Sequence, residues 1–136
     1  MTRMTDLLHN SKSVVAVAPQ SVETAGDVTG EIIDTQGFYS LLLDLTLGNT
    51  ASSKVKVKSI KESDNSDMSN ATDIADTQYF GLAIGEDIDT LKSVGRVNVI
   101  PSKRYVQAVV TTTTNNALIC ATATLFGADV DGKINE

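Results

Sequence analysis

The sequence predicts an all-β domain, an antiparallel two-layer β-sandwich that is jelly-roll-like, with an immunoglobulin-like sandwich as the alternative. Three observations lead there. Apolar and polar residues alternate with period two through much of the chain, as where Leu41, Leu43, Leu45 and Leu47 oppose Leu42, Asp44 and Thr46. Gly, Pro and Asn divide the chain into segments of roughly five to ten residues, a strand length. No segment carries a helical repeat long enough to cover a sheet face, so about seven or eight strands must bury one another as two layers.

In chain order, residues 4–9 allow one helical turn. Ser13 to Ala18 is rich in β-branched residues and is expected to stop at Pro19. Gly26 and Gly30 flank a short segment around Val28, and Glu31-Ile32-Ile33-Asp34 forms the next strand before Gly37. Phe38 to Leu47 follows. Its leucines would also suit a helix, but the period of two and the bracketing Gly37 and Gly48-Asn49 favour a strand. Lys54-Val55-Lys56-Val57-Lys58 alternates strictly, with a buried valine face and a lysine face read as an edge-strand face. Ile60 then falls on the lysine side, which implies either a bulge near Lys58-Ser59 or an end to the sheet's covering, with the strand stopping at Glu62 in both cases.

Ser63 to Thr77 is a long polar connection, Tyr79 to Gly85 an apolar stretch between glycines, and Glu86 to Lys92 a loop or short turn. Gly95 to Ile100 is a strand closed by Pro101. Lys103 to Thr114 and Ala117 to Gly127 flank Asn115-Asn116, a dipeptide that tolerates positive φ, and are predicted to form a long hairpin. The resulting division is an N-terminal arm or tail over 1–12, a sandwich over 13–128 and a tail over 129–136.

Composition narrows the function. A chain of 136 residues suits one domain, and a formal net charge of −6 repels polyanions at long range, so nucleic acid is a poor partner. With three Tyr, three Phe and no Trp there is little surface for stacking bases or sugars. The longest apolar run falls far short of the ~20 residues that span a bilayer, and Asp6 and His9 interrupt what a signal peptide would need, so neither membrane nor export is expected. Cys120 is the only cysteine, and its apolar surroundings read as core filler rather than a reactive thiol.

Catalytic constellations are missing. His9 is the only histidine and lies near the start of the chain, so a Ser-His-Asp or Cys-His arrangement lacks a well-placed base. One Cys and one His cannot build a zinc site, and no Gly-rich phosphate loop joins a strand to a helix. The acidic residues Glu62, Asp64, Asp67, Asp73 and Asp76 could hold a cation such as calcium, but their spacing better suits a solvated loop. Glu86 with Asp87 or Asp89 would need a sugar cleft lined with aromatics to act as a glycosidase pair. Lys103-Arg104 could join the lysine face in a basic stripe if their strands are neighbours. Hence no enzyme, no catalytic residues, no cofactor and no metal are expected.

Three stretches carry a family resemblance over roughly residues 28–128. Lys54-Val55-Lys56-Val57 leads into Glu62-Ser63-Asp64-Asn65-Ser66 with Asp73-Ile74; Lys103-Arg104-Tyr105-Val106 follows; and the Thr-rich segment runs on to Leu125-Phe126-Gly127. In this order they resemble tailed-bacteriophage capsid decoration, or cement, proteins, small structural proteins encoded beside the major capsid protein. The resemblance implies a virion protein on the capsid exterior, made in the bacterial host cytoplasm, that bridges capsomers. Its implied partners are the major capsid protein and itself, as a homodimer or homotrimer. A tail or receptor-binding module is the alternative, disfavoured by the low aromatic content. Outside the resembling region, Arg3, Leu7, Leu8 and Lys12 combine charge with an apolar pair that has no evident core position, and are the candidate partner-binding residues of the arm.

Overall fold

The computed structural model describes residues 7–48, 54–88, 94–113 and 117–128. A single helical turn, α1 (Leu7–Asn10), precedes ten strands among these residues: β1 (Lys12–Val22), β2 (Gly26–Thr29), β3 (Ile33–Asp34), β4 (Phe38–Leu47), β5 (Val55–Ser63), β6 (Thr72–Asp73), β7 (Tyr79–Gly81), β8 (Val94–Val99), β9 (Tyr105–Thr112) and β10 (Ala117–Ala128). A 3-10 turn, Asp76–Gln78, leads into β7. One sheet has the order β1-β10-β4-β8-β7, the other β2-β9-β5-β6 with β3 also beside β9. Each ladder is antiparallel.

The period-two pattern works as expected. Leu41, Leu43, Leu45 and Leu47 of β4 are buried, as are Val55 and Val57 of β5, Val106, Ala108 and Val110 of β9, and Ala121, Ala123 and Leu125 of β10. These inward rows meet between the sheets in one core. Burying a Leu or Val side chain contributes roughly 1.5–3 kcal/mol. Lys58 is the extra residue of β5: the register with β9 jumps between Val57 and Ser59, which returns Ile60 to the core, where it is 1% exposed.

Four readings need correction. Lys103–Thr114 and Ala117–Gly127 do not pair as a hairpin: β9 lies between β2 and β5, whereas β10 lies between β1 and β4 in the opposite sheet. Both strands turn an apolar row inward, and a short connection can set such rows face to face across a core as readily as side by side. The dipeptide Asn115-Asn116 lies outside the described residues. β1 does not stop at Pro19 but continues to Val22, with register shifts between Val15 and Val17 and between Val17 and Gln20. It is the outer strand of its sheet, where a residue without an N–H is tolerated, above all at an irregularity. β5 is not an edge strand, because β9 flanks one side, while on the other β6 pairs with Lys61 and Glu62 and the N–H groups of Gly85 and Ile88 donate to the carbonyls of Val57 and Val55. Cys120 is not core filler, because Ile119 and Ala121 face inward and residue 120 must then face out, where it is half-buried.

The two sheets are stitched together beside β1. The N–H of Glu31 donates to the carbonyl of Ala16 in one sheet, and the N–H of Gly30 to that of Ala108 in the other. The backbones approach so closely at Gly30 that a Cβ there would lie 2.4 Å from the Ala16 oxygen and 2.8 Å from the Ala108 oxygen.

Candidate functional site

The described residues offer two outer faces of contrasting chemistry and one apolar end, and among them no cleft of converging reactive groups. The outer face of the β2-β9-β5-β6 sheet is laced with ion pairs. Lys58 bonds Asp27, Lys56 lies 3.7 Å from Asp87, Lys61 lies 3.5 Å from Asp73, and Arg104 pairs with Asp34 at 2.8 Å. The Arg104 guanidinium also stands 5.0 Å from the centre of the Tyr105 ring. Hydrogen bonds from Lys58 hold the Asp27 carboxyl below its ordinary pKa, and those from Arg104 do the same for Asp34. The lysine face and Lys103-Arg104 therefore alternate with aspartates and form no open basic stripe. Pairs this exposed are worth little each to stability and mark a hydrated surface.

The outer face of the other sheet is nearly free of charge. Register aligns Ser13, Thr124, Leu42, Asn98 and Phe80 in one row across its five strands, and Val15, Thr122, Asp44 and Arg96 in the next. Asp44 and Arg96 neutralise one another at 2.9 Å. Phe80 is 59% exposed, and Val15, Val94 and Leu118 are exposed as well. At its far end the face dips into an open groove of about 370 Å³ lined by Pro19, Thr46, Leu118 and Cys120.

The polar groups that are buried serve the fold. Glu62, at 3% exposure, accepts hydrogen bonds from the Ser102 hydroxyl (2.6 Å), the Ser102 N–H (2.8 Å), the Lys103 N–H (3.3 Å) and the Gln78 amide (3.2 and 3.3 Å). It thereby pins the loop before β9 and the 3-10 turn to the end of β5. Burial pushes its carboxyl pKa up, but the bonds from Ser102, Gln78 and Lys103 together prevail and leave it lowered. Thr35 donates to the Arg104 carbonyl at 2.6 Å, and Ser63 to the Ser69 carbonyl at 2.6 Å.

The acidic connection is folded on itself. Asp67 accepts the Ser69 N–H at 3.0 Å, which lowers its pKa, and Asn65 donates to the Ser69 carbonyl. With Glu62 tied to Ser102 and Asp73 to Lys61, the carboxylates do not converge, and among the described residues no group of three or more His, Cys, Asp or Glu could hold a metal ion. Asp87 faces Lys56 rather than a cleft, and Asp89 lies outside the described residues. No helix among the described residues is long and apolar enough to cross a membrane.

Of the predicted arm residues, Arg3 lies outside the described residues. Leu7 opens α1, Leu8 is 82% exposed on it, and Lys12 is exposed as the first residue of β1, paired with Leu125. Since Lys12 pairs with Leu125 and Phe38 with Ala128, β1 begins, β10 ends and β4 begins at one end of the sandwich. Tyr39, 68% exposed, stands at that end with Leu8. Tyr39 was missed in the sequence because it has the same parity as the core leucines of β4; only its place beyond the last covered row exposes it.

No protein-family model matches the chain, and no curated protein sequence matches it. Among solved structures, infectious bursal disease virus VP2, from a subviral particle, aligns at a TM-score of 0.48 with 10% identity over 86% of this chain and 32% of its own. The SPBc2 prophage-derived protein YomS aligns at a TM-score of 0.51 with 14% identity over 85% of this chain and 93% of its own, so over that share the chain is similar to YomS in fold.

Proposed function

We propose that this protein is a structural component of a phage virion that binds the outside of the capsid and stabilises it by bridging neighbouring capsomers. The observation that carries this reading is where the apolar side chains are exposed: Leu8 and Tyr39 stand at 82% and 68% exposure at the end where β1 begins and β10 ends, on a domain whose buried polar groups are tied into the fold. Such a molecule offers surface to another macromolecule rather than a pocket to a substrate. The order of strands in the two packed sheets supports a jelly-roll reading of the sandwich, an architecture found in viral capsid domains, and YomS, a prophage-derived protein, is similar to the chain in fold. Both likenesses are analogies of fold and lend context alone.

The mechanism is mass action. A protein that binds the assembled shell and not its separated subunits stabilises the shell by RT ln(1 + [L]/Kd) per site, and many modest sites add up. The partner is the major capsid protein, the place of action the virion exterior, and the place of synthesis the bacterial host cytoplasm. Co-sedimentation with empty shells assembled from the major capsid protein of the same phage is the test. Saturable binding with a raised shell melting temperature is expected, and Leu8→Asp should weaken binding about tenfold or more while the sandwich melts unchanged. Failure of the protein to sediment with shells at tens of micromolar, roughly, overturns the reading.

A further inference from the structure

The two outer faces of this sandwich pose a question that shell binding does not answer. One is patterned with acid–base pairs, as a solvated sheet face should be. The other, built from the five strands β1, β10, β4, β8 and β7, carries threonines, Phe80, Leu42, Val15, Val94 and Leu118, with Asp44–Arg96 as the single ion pair on its described residues. In a chain with 21% charged residues this separation is a property of the fold, not of the composition. Depletion of charge with retention of aromatic and aliphatic side chains is the mark of an interface core.

We infer that this face packs against the same face of a second copy, giving a two-fold dimer. Two features select that occupant. The first is charge: among the described residues the only ionic groups on the face, Asp44 and Arg96, already neutralise one another, so apposing two copies buries no unpaired charge there. The second is area. At about 4.8 Å between strands and about 3.4 Å per residue, the five strands spread over roughly 700 Å². A two-fold axis parallel to the strands, between β4 and β10, sets β4 over β10 of the other copy and β1 over its β8. The shared footprint is then roughly 500 Å² per copy, about 1,000 Å² in all before side-chain relief is counted, which reaches the threshold of a specific interface.

In that arrangement Asp44, which shares a register row with Thr122, lies over the partner subunit's Thr122, a carboxylate above a hydroxyl that can donate to it. Each contact is made twice, as isologous pairing requires. The dimer does not depend on the virion reading, since it is measured on the purified protein alone.

The test is sedimentation equilibrium from about 1 to about 500 µM, with circular dichroism melts of every variant. Wild type should dimerise with rising concentration. Thr124→Lys and Leu42→Lys, at positions that the two-fold sets over one another, each add a positive charge to both apposed faces and should raise the dissociation constant at least about tenfold with melting temperatures near wild type. Thr29→Lys, on the opposite, ion-paired face, should dimerise as wild type does. A wild type that stays monomeric across the range, a folded Thr124→Lys or Leu42→Lys that dimerises as tightly as wild type, or a Thr29→Lys that weakens the dimer equally overturns the proposal. Shell binding that fails while the dimer persists overturns only the virion reading.

Discussion

At the scale of single residues, Glu62 shows how a buried charge becomes structural. Its carboxylate is almost closed to solvent and is matched by donors from two other segments, an arrangement in which removing one acceptor oxygen leaves buried N–H groups unsatisfied. Glu62→Gln should cost about 1–3 kcal/mol, read as a lower midpoint in urea at neutral pH. The pH dependence has a definite sign. A carboxyl whose folded pKa lies below its ordinary value of 4.5 stabilises the protein above that pH and loses its contribution as pH falls through the folded value. Wild type should therefore lose stability below about pH 4.5 more steeply than Glu62→Gln, with Asp27, Asp34 and Asp67 supplying the slope that remains. Parallel acid titrations of stability for the two proteins would show equal slopes if the carboxylate did not act this way. For Cys120 the outward, half-buried position predicts modification by a maleimide in the native state, and a Cys120→Ser change worth less than about 1 kcal/mol. A thiol that reacts only after denaturation would contradict that placement.

At the scale of elements, the close approach at Gly30 makes a sharper prediction than any core truncation. Gly30→Ala puts a methyl group against two backbone oxygens at 2.4 and 2.8 Å, and backbone on both sides cannot swing away as a side chain can. A loss of more than about 2 kcal/mol is expected in thermal or urea unfolding, and a neutral effect would mean that the two sheets do not meet there. The sequence foretold the strand faces because period two is a local property: the leucines of β4 could be read from spacing alone, and the break at Ile60 marked either a bulge or an end to the sheet's covering, between which the register with β9 decides for the bulge. Pairing partners could not. Whether β9 and β10 lie side by side or face to face depends on residues more than forty positions away in β4 and β5, and nothing in their own alternation records it. Cys120 misled because its apolar neighbours were weighted above its parity. Glu62 was grouped with the acidic loop because burial of a charge depends on Ser102 and Gln78, which only the fold brings to it.

At the scale of the whole molecule, Lys12 and Leu125 are partners, so a deletion meant to test the N-terminal segment should stop short of β1. Removing residues 1–10 leaves every rung of the sandwich in place and should change its melting temperature little while weakening shell binding; removing 1–12 would also take the first rung. Equal shell binding by full-length and 1–10-deleted protein at unchanged melting temperature would move the contact to the sandwich itself.

The last strand among the described residues is not an edge. β10 sits between β1 and β4, which have no ladder to one another without it. Until β10 is in place, β1 and β4 flank a gap one strand wide. The search that closes the gap joins residues as far apart as Lys12 and Leu125, which places refolding among the slow, millisecond-to-second cases expected of non-local β pairing. Stopped-flow refolding of the intact chain should show that timescale, whereas nascent chains truncated before Ala117 should stay protease-sensitive and be rescued in trans by a peptide spanning 117–128, which supplies the missing strand.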